Sequence, residues 1–198
     1  MFSQGLVGAA QYGDGSQPTL RVGNQGDQII SQLHGRYYEQ AKRGTLFSLA
    51  NQAAVSNTAG LATTFTGLSV ANPSGSGKNL VLLHVGVGQI AAGAAGALGI
   101  MTGSGAAAGS LTPRNCLVGG GASVAVGSNS ATIATPVLER IFGTIGSLAT
   151  TGYGLQPGLQ YQVDGSLVIP PGYFVASYAS AALTSASIWS FVWEEVTV

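Results

Sequence analysis

Residues 187–198, Ser187-Ile188-Trp189-Ser190-Phe191-Val192-Trp193-Glu194-Glu195-Val196-Thr197-Val198, decide the fold class. Trp189, Phe191 and Trp193 recur at every second position against Ser190 and Val192. Successive side chains of a strand point to opposite faces, so this spacing gathers three large rings on one face. A ring-rich face belongs in the core of a sandwich. Further runs of β-branched, aromatic and aliphatic residues lie upstream at 45–51 (TLFSLAN), 63–72 (TTFTGLSVAN), 78–90 (KNLVLLHVGVGQI), 130–146 (SATIATPVLERIFGTIG), 161–171 (YQVDGSLVIPP) and 172–180 (GYFVASYAS). Phe65, Gly67 and Ser69 alternate with Thr66, Leu68 and Val70, again at period two. Turn signals separate the runs, Asn72-Pro73-Ser74-Gly75-Ser76-Gly77 and Pro170-Pro171-Gly172 among them. Seven or eight short strands without a long helical stretch predict an all-β, antiparallel sandwich or barrel and argue against a parallel α/β fold.

Composition sets the kind of surface. The 198 residues include 31 Gly, 7 Lys+Arg and 7 Asp+Glu, with 45% hydrophobic and only 7% charged. Soluble domains average about 25% charged, so this chain has an unusually neutral exterior, which favours association with other chains. High hydrophobicity with low charge excludes intrinsic disorder as the general state. A net charge of zero supplies no field for nucleic acid or an anionic membrane. The single cysteine, Cys116, excludes an internal disulfide framework and reads as a small buried thiol.

Charge also divides the chain. Asp14, Arg21, Asp27, Arg36, Glu39, Lys42 and Arg43 place 7 of the 14 charged residues within 1–43, leaving seven for 44–198. The first 25 residues have no apolar period and read as an extended arm, expected to lie across a neighbouring subunit. Ile30, Leu33 and Tyr37 have helical spacing behind Asp27 as a cap, which predicts a short helix near 27–42, interrupted at Gly35. The β domain is expected over 44–198. The N-terminal sequence has no basic start followed by an apolar run, so it does not read as a secretory signal, and synthesis in the cytoplasm is expected. Residues 79–113 contain no Asp, Glu, Lys or Arg. Glycine breaks their Ala-rich part about every third residue, so no transmembrane helix is read there. The expectation is a strand near 96–102 followed by a Gly/Ala/Ser loop. Residues 119–132 (GGGASVAVGSNSAT) and 147–158 (SLATTGYGLQPG) also read as small-residue loops.

Catalytic motifs are missing or incomplete. Ser74-Gly75-Ser76-Gly77-Lys78 approaches a phosphate-binding loop, but that motif needs Gly where Asn72 stands and Ser or Thr where Asn79 stands. A turn with a solvated Lys78 is the better reading. His34 and His84 are the only histidines and no acid lies beside them in a metal-ligand or triad spacing. His84, between Leu83 and Val85, reads as a core or interface residue. Glu194 and Glu195 point to opposite faces of a strand, so they read as solvated or ion-paired charges and not as an acid/base pair. No catalytic residue, cofactor or metal is expected. Arg36-Tyr37-Tyr38-Glu39-Gln40-Ala41-Lys42-Arg43 mixes the residue types that anchor protein interfaces.

Four blocks, 26–51 (GDQIISQLHGRYYEQAKRGTLFSLAN), 68–88 (LSVANPSGSGKNLVLLHVGVG), 167–180 (LVIPPGYFVASYAS) and 187–198 (SIWSFVWEEVTV), together resemble a family of small structural proteins of tailed bacteriophages. The resemblance implies a jelly-roll-type β-sandwich on the outer surface of the phage head. The nearest described role is that of a capsid cement, or head decoration, protein. Such proteins are often homo-oligomers, commonly trimers, whose N-terminal arm lashes neighbouring capsomers, with the major capsid protein as partner. On that reading Phe2, Leu6, Tyr12 and Leu20 of the arm, with Arg36, Tyr37, Tyr38, Lys42 and Arg43, form the capsid or subunit interface. The alternative is a receptor- or glycan-binding module of a tail or head fibre, with Tyr153, Tyr161, Tyr178 or Trp189 stacking on a sugar.

Overall fold

The computed structural model describes residues 35–90, 94–105, 109–145 and 158–198. The chain falls into two compact units, Met1–Tyr38 and Glu39–Val198. Among the described residues, eleven strands follow one short helix: α1 (Tyr38–Lys42), β1 (Leu46–Ala50), β2 (Val55–Asn57), β3 (Thr64–Ala71), β4 (Lys78–Gln89), β5 (Gly96–Ser104), β6 (Arg114–Asn115), β7 (Val126–Thr132), β8 (Val137–Ile145), β9 (Leu159–Ile169), β10 (Tyr173–Ala179) and β11 (Leu183–Thr197). They form two antiparallel sheets, one in the order β6-β1-β11-β4-β9 with β2 also on β11, the other in the order β7-β3-β10-β5-β8. The protein is an all-β sandwich. Its pairing is that of a long hairpin folded over on itself: β5 pairs with β8, β4 with β9, β3 with β10 and β1 with β11.

The alternation of β11 builds the core. Trp193 lies opposite Phe47 and Leu82, Phe191 opposite Leu49 and Val85, and Trp189 opposite Val87. All of these are buried between the sheets with Leu68, Val70, Leu98, Ile100 and Val175. Phe47 stacks on Trp193 with ring centroids 6.3 Å apart. Burying one such aromatic or aliphatic side chain contributes roughly 1.5–3 kcal/mol, so this central strand carries a large share of the stabilisation. The space lined by Val70, Leu80, Leu82, Ile169, Val175, Phe191 and Trp193 has no room for a water molecule.

A second apolar cluster, Phe65, Ala71, Met101, Ala131, Ile133, Phe174 and Ala176, lies on the other face of the β7-β3-β10-β5-β8 sheet. Residues 133–136 link the two opposite edges of that sheet, β7 and β8. Ile133 is buried there, its N–H bonded to the carbonyl of Thr63.

Several expectations change in this frame. The run 130–146 is two strands, because Thr135 (φ +42°) and Pro136 turn the chain between β7 and β8. Residues 126–132, expected in a loop, are β7. Their small polar side chains fit a tight sheet contact in which Ser69 Oγ donates to the Ser128 carbonyl, with both serines fully buried. Beyond the strands read from sequence lie the short β2 and β6. Of the helix expected near 27–42, the described part is the single turn Tyr38–Lys42, ended by Gly44 at φ +71°, and residues 27–34 lie outside the described residues. Gly67 (φ +145°) forms a bulge in β3, where the Asn51 amide donates to its carbonyl and Leu68 N–H donates to Ser177 Oγ. Among the described residues no helix is long and apolar enough to cross a membrane.

Candidate interaction surface

The start of β1, the start of β4 and the end of β11 meet at one end of the sandwich. Glu195 N–H bonds the Thr45 carbonyl ahead of β1, and Val198 N–H bonds the Gly77 carbonyl ahead of β4. Register puts Glu195 on the same inward face of β11 as Trp193. Its side chain is fully buried, where a lone carboxylate would be strongly destabilising. Three donors offset this cost: Lys78 Nζ at 3.0 Å, Ser123 Oγ at 2.5 Å and Val124 N–H at 3.0 Å. The expectation of a solvated Lys78 is therefore corrected, since Lys78 begins a strand with its ammonium on Glu195, and of the two alternatives read for Glu195 it is the ion-paired one that is found, with the carboxylate buried. Glu194 faces the other way, and its carboxylate accepts a hydrogen bond from the Thr45 hydroxyl at 3.4 Å.

Ser123 and Val124 belong to the loop joining β6 to β7, and a second group of bonds fixes the start of that loop. Asn115 donates to the carbonyls of Gly44 and Gly121, both at 3.0 Å, while its Oδ1 accepts from Leu117 N–H at 2.8 Å. Cys116 N–H bonds the Leu46 carbonyl. Held at both ends, the loop turns Leu117 and Val118 outward, at 43% and 97% exposure. Cys116 is exposed and not buried as expected. Its sulfur is nevertheless partly desolvated, which pushes the thiol pKa up, and a hydrogen bond with Ser48 opposes this in part.

Of the interface residues read from sequence, Lys42 and Arg43 are exposed at this same end, two and one residues before Gly44. Arg36, Tyr37 and Tyr38 belong to the first unit, where the Arg36 guanidinium lies 5.3 Å from the centre of the Tyr37 ring and Tyr38 is exposed. Phe2, Leu6, Tyr12 and Leu20 lie outside the described residues, as does Tyr153. Trp189 is fully buried, which removes it as a sugar platform. Tyr161 stacks on Phe142 at 5.4 Å, and Phe142 in turn meets Trp189 edge-on. Tyr178 is half-buried against the outer cluster. His84 is half-buried in β4, opposite Val192 and Gln162. Among the described residues no three His, Cys, Asp or Glu side chains come together as metal ligands.

Sequence reasoning missed the Leu117–Val118 tip. Its signal is an apolar pair directly before Gly119-Gly120-Gly121, where a strand pattern cannot continue. Comparison with family models, curated proteins and solved structures gives no match.

Proposed function

We propose that this chain is a non-enzymatic structural protein of a tailed-phage particle, a cement protein that binds across subunits of the head shell and stabilises it. The observation that carries the reading is the nested strand order, β1-β11-β4-β9 in one sheet and β3-β10-β5-β8 in the other. We read a hairpin rolled up in this way as a jelly roll, an architecture recurrent in viral shell proteins as well as in lectin domains and cupins. The charge-poor composition supports an exterior that spends its life against other protein. A clamp stabilises a shell when it binds the assembled lattice more tightly than the unassembled state, and repeated modest contacts by an oligomer multiply into avidity.

The reading is tested by co-sedimentation of the full chain with shells lacking it, compared with a chain from which residues 1–25 are removed. Cement predicts saturable binding by the full chain and weaker binding by the truncated one, with the sandwich still folded. No binding by the full chain overturns the reading. Equal binding by both overturns the role of the arm.

A further inference from the structure

We propose that the outer face of the β6-β1-β11-β4-β9 sheet is a self-association surface, on which a second copy of this chain packs face to face about a two-fold axis, with Arg114 of each copy on Glu194 of the other. The proposal is independent of the cement reading. The outer face of the second sheet is closed: Phe65, Met101 and Phe174 are buried there, and the link 133–136 joins its two edges. The first sheet is different. One row on its outer face runs across the strands from Arg114 through Ser48 and Val192 to His84, and the next from Glu194 to Val81. None of these side chains is buried.

Charge identifies the occupant. Residues 44–198 carry seven charged side chains, and five of them are engaged within the chain: Lys78 with Glu195, Glu139 with the Thr102 hydroxyl, Arg140 with Ser166, and Asp164. Lys42 and Arg43, ahead of β1, also hold interactions within the chain, and Glu39 is exposed on α1. Arg114 is exposed and has no hydrogen bond or ion pair among the described residues. Glu194 has the 3.4 Å bond from Thr45 to its Oε1, which leaves Oε2 open. These two charges, the least satisfied of the seven, lie on one face, two strands and two residues apart, which is about 12 Å at ordinary sheet spacings. A two-fold axis parallel to the face and midway between them turns a second copy over so that each arginine meets the other's glutamate. The face then supplies both halves of two ion pairs, and no uncompensated like charges meet. Any other partner has to present an acid and a base at this same spacing, which this chain already does. Strands β1, β11, β4 and β9 offer about 600 Å² of flat area at about 4.8 Å between strands, and specific interfaces bury about 600 Å² per partner or more. The face therefore suffices for a dimer of modest affinity.

The test is sedimentation equilibrium of the full chain over the micromolar range, with Arg114→Glu, Glu194→Arg, the double exchange of both, and Val137→Ser at the exposed β8 edge as control. The parent is expected to dimerise, and more weakly as salt rises. Each single charge reversal is expected to weaken the dimer about tenfold or more, since like charges then face each other twice. The double exchange is expected to return it to within about threefold of the parent, and Val137→Ser to leave it unchanged. Tryptophan fluorescence checks that each variant is folded. Should Glu194→Arg unfold, Glu194→Gln removes the charge, keeps an acceptor for Thr45 and is expected to weaken the dimer severalfold. A parent that stays monomeric overturns the proposal, as does a trimer, a dimer indifferent to both reversals, a dimer lost on Val137→Ser, or a double exchange that fails to restore association. None of these results bears on binding to shells, so the cement reading stands or falls separately.

Discussion

Replacing Glu195 by alanine is expected to destabilise the sandwich by about 2–4 kcal/mol, through losses on three elements at once. Val124 N–H loses its acceptor, and leaving this part-buried donor unsatisfied costs about 1–2 kcal/mol, below the full penalty of a buried group. The Ser123 hydroxyl turns to another partner at small cost. Lys78, with a third of its side chain exposed, rehydrates, so its part of the ion pair adds little. The deleted carboxylate stem leaves a void beside the core, which adds about 1 kcal/mol. Glu195→Gln keeps an acceptor for Ser123 and Val124 and is expected to cost only about 1 kcal/mol. Lys78→Met strands a buried carboxylate without its counter-charge and is expected to cost about 3 kcal/mol. The assay is urea unfolding at pH 7 followed by tryptophan fluorescence, since Trp189 and Trp193 are fully buried in the native state. At a slope of about 1–3 kcal/mol per molar urea, Glu195→Ala moves the midpoint down by about 0.7 M or more with the slope unchanged. A shift equivalent to less than about 0.5 kcal/mol would refute the reasoning, because the carboxylate would then be stabilising neither the loop nor β11.

Gly67→Ala tests the β3 bulge. A methyl group there collides with the Ser177 hydroxyl and would lie 2.5 Å from Asn57 Oδ1 and 2.6 Å from Phe65 Cζ, at a φ that side chains rarely adopt. The expected loss is about 3 kcal/mol or more, and an unfolding midpoint within error of the parent would contradict the bulge geometry. Cys116 tests the base of the loop. With its pKa raised by desolvation, alkylation by iodoacetamide is expected to be slower at pH 7 than for a free cysteine and to keep rising with pH beyond the ordinary thiol range. Because the folded state disfavours the thiolate, the stability linked to this group is present below the unfolded pKa and lost as pH rises through the folded one. An alkylation profile centred at or below the ordinary thiol pKa would contradict this.

The strands that were legible in sequence are those whose side chains alternate in size across a buried face. Trp189, Phe191 and Trp193 announce the core because burial on one face is a local, period-two property. β7 was not legible. Gly127, Ser128 and Asn129 carry no apolar signal, and their strand exists because Ser128 and Gly127 pair closely with Ser69 and Val70. The Lys78–Glu195 contact joins residues 117 apart in sequence and depends on the register that brings the end of β11 beside the start of β4. Nothing local in either residue distinguishes it from a solvated charge. The Leu117–Val118 tip was hidden for the opposite reason. Apolar side chains signal burial, and that outcome is reversed by the Asn115 side chain, folded back on Gly44, Leu117 and Gly121, together with the bonds of Cys116 N–H to Leu46 and of Ser123 and Val124 to Glu195.

The copy number of this chain relative to the major shell protein, counted by quantitative mass spectrometry of purified particles, tests the cement role most directly. Cement predicts a fixed ratio amounting to hundreds of copies per particle. A handful of copies would place the chain at a tail, fibre or vertex and contradict the account.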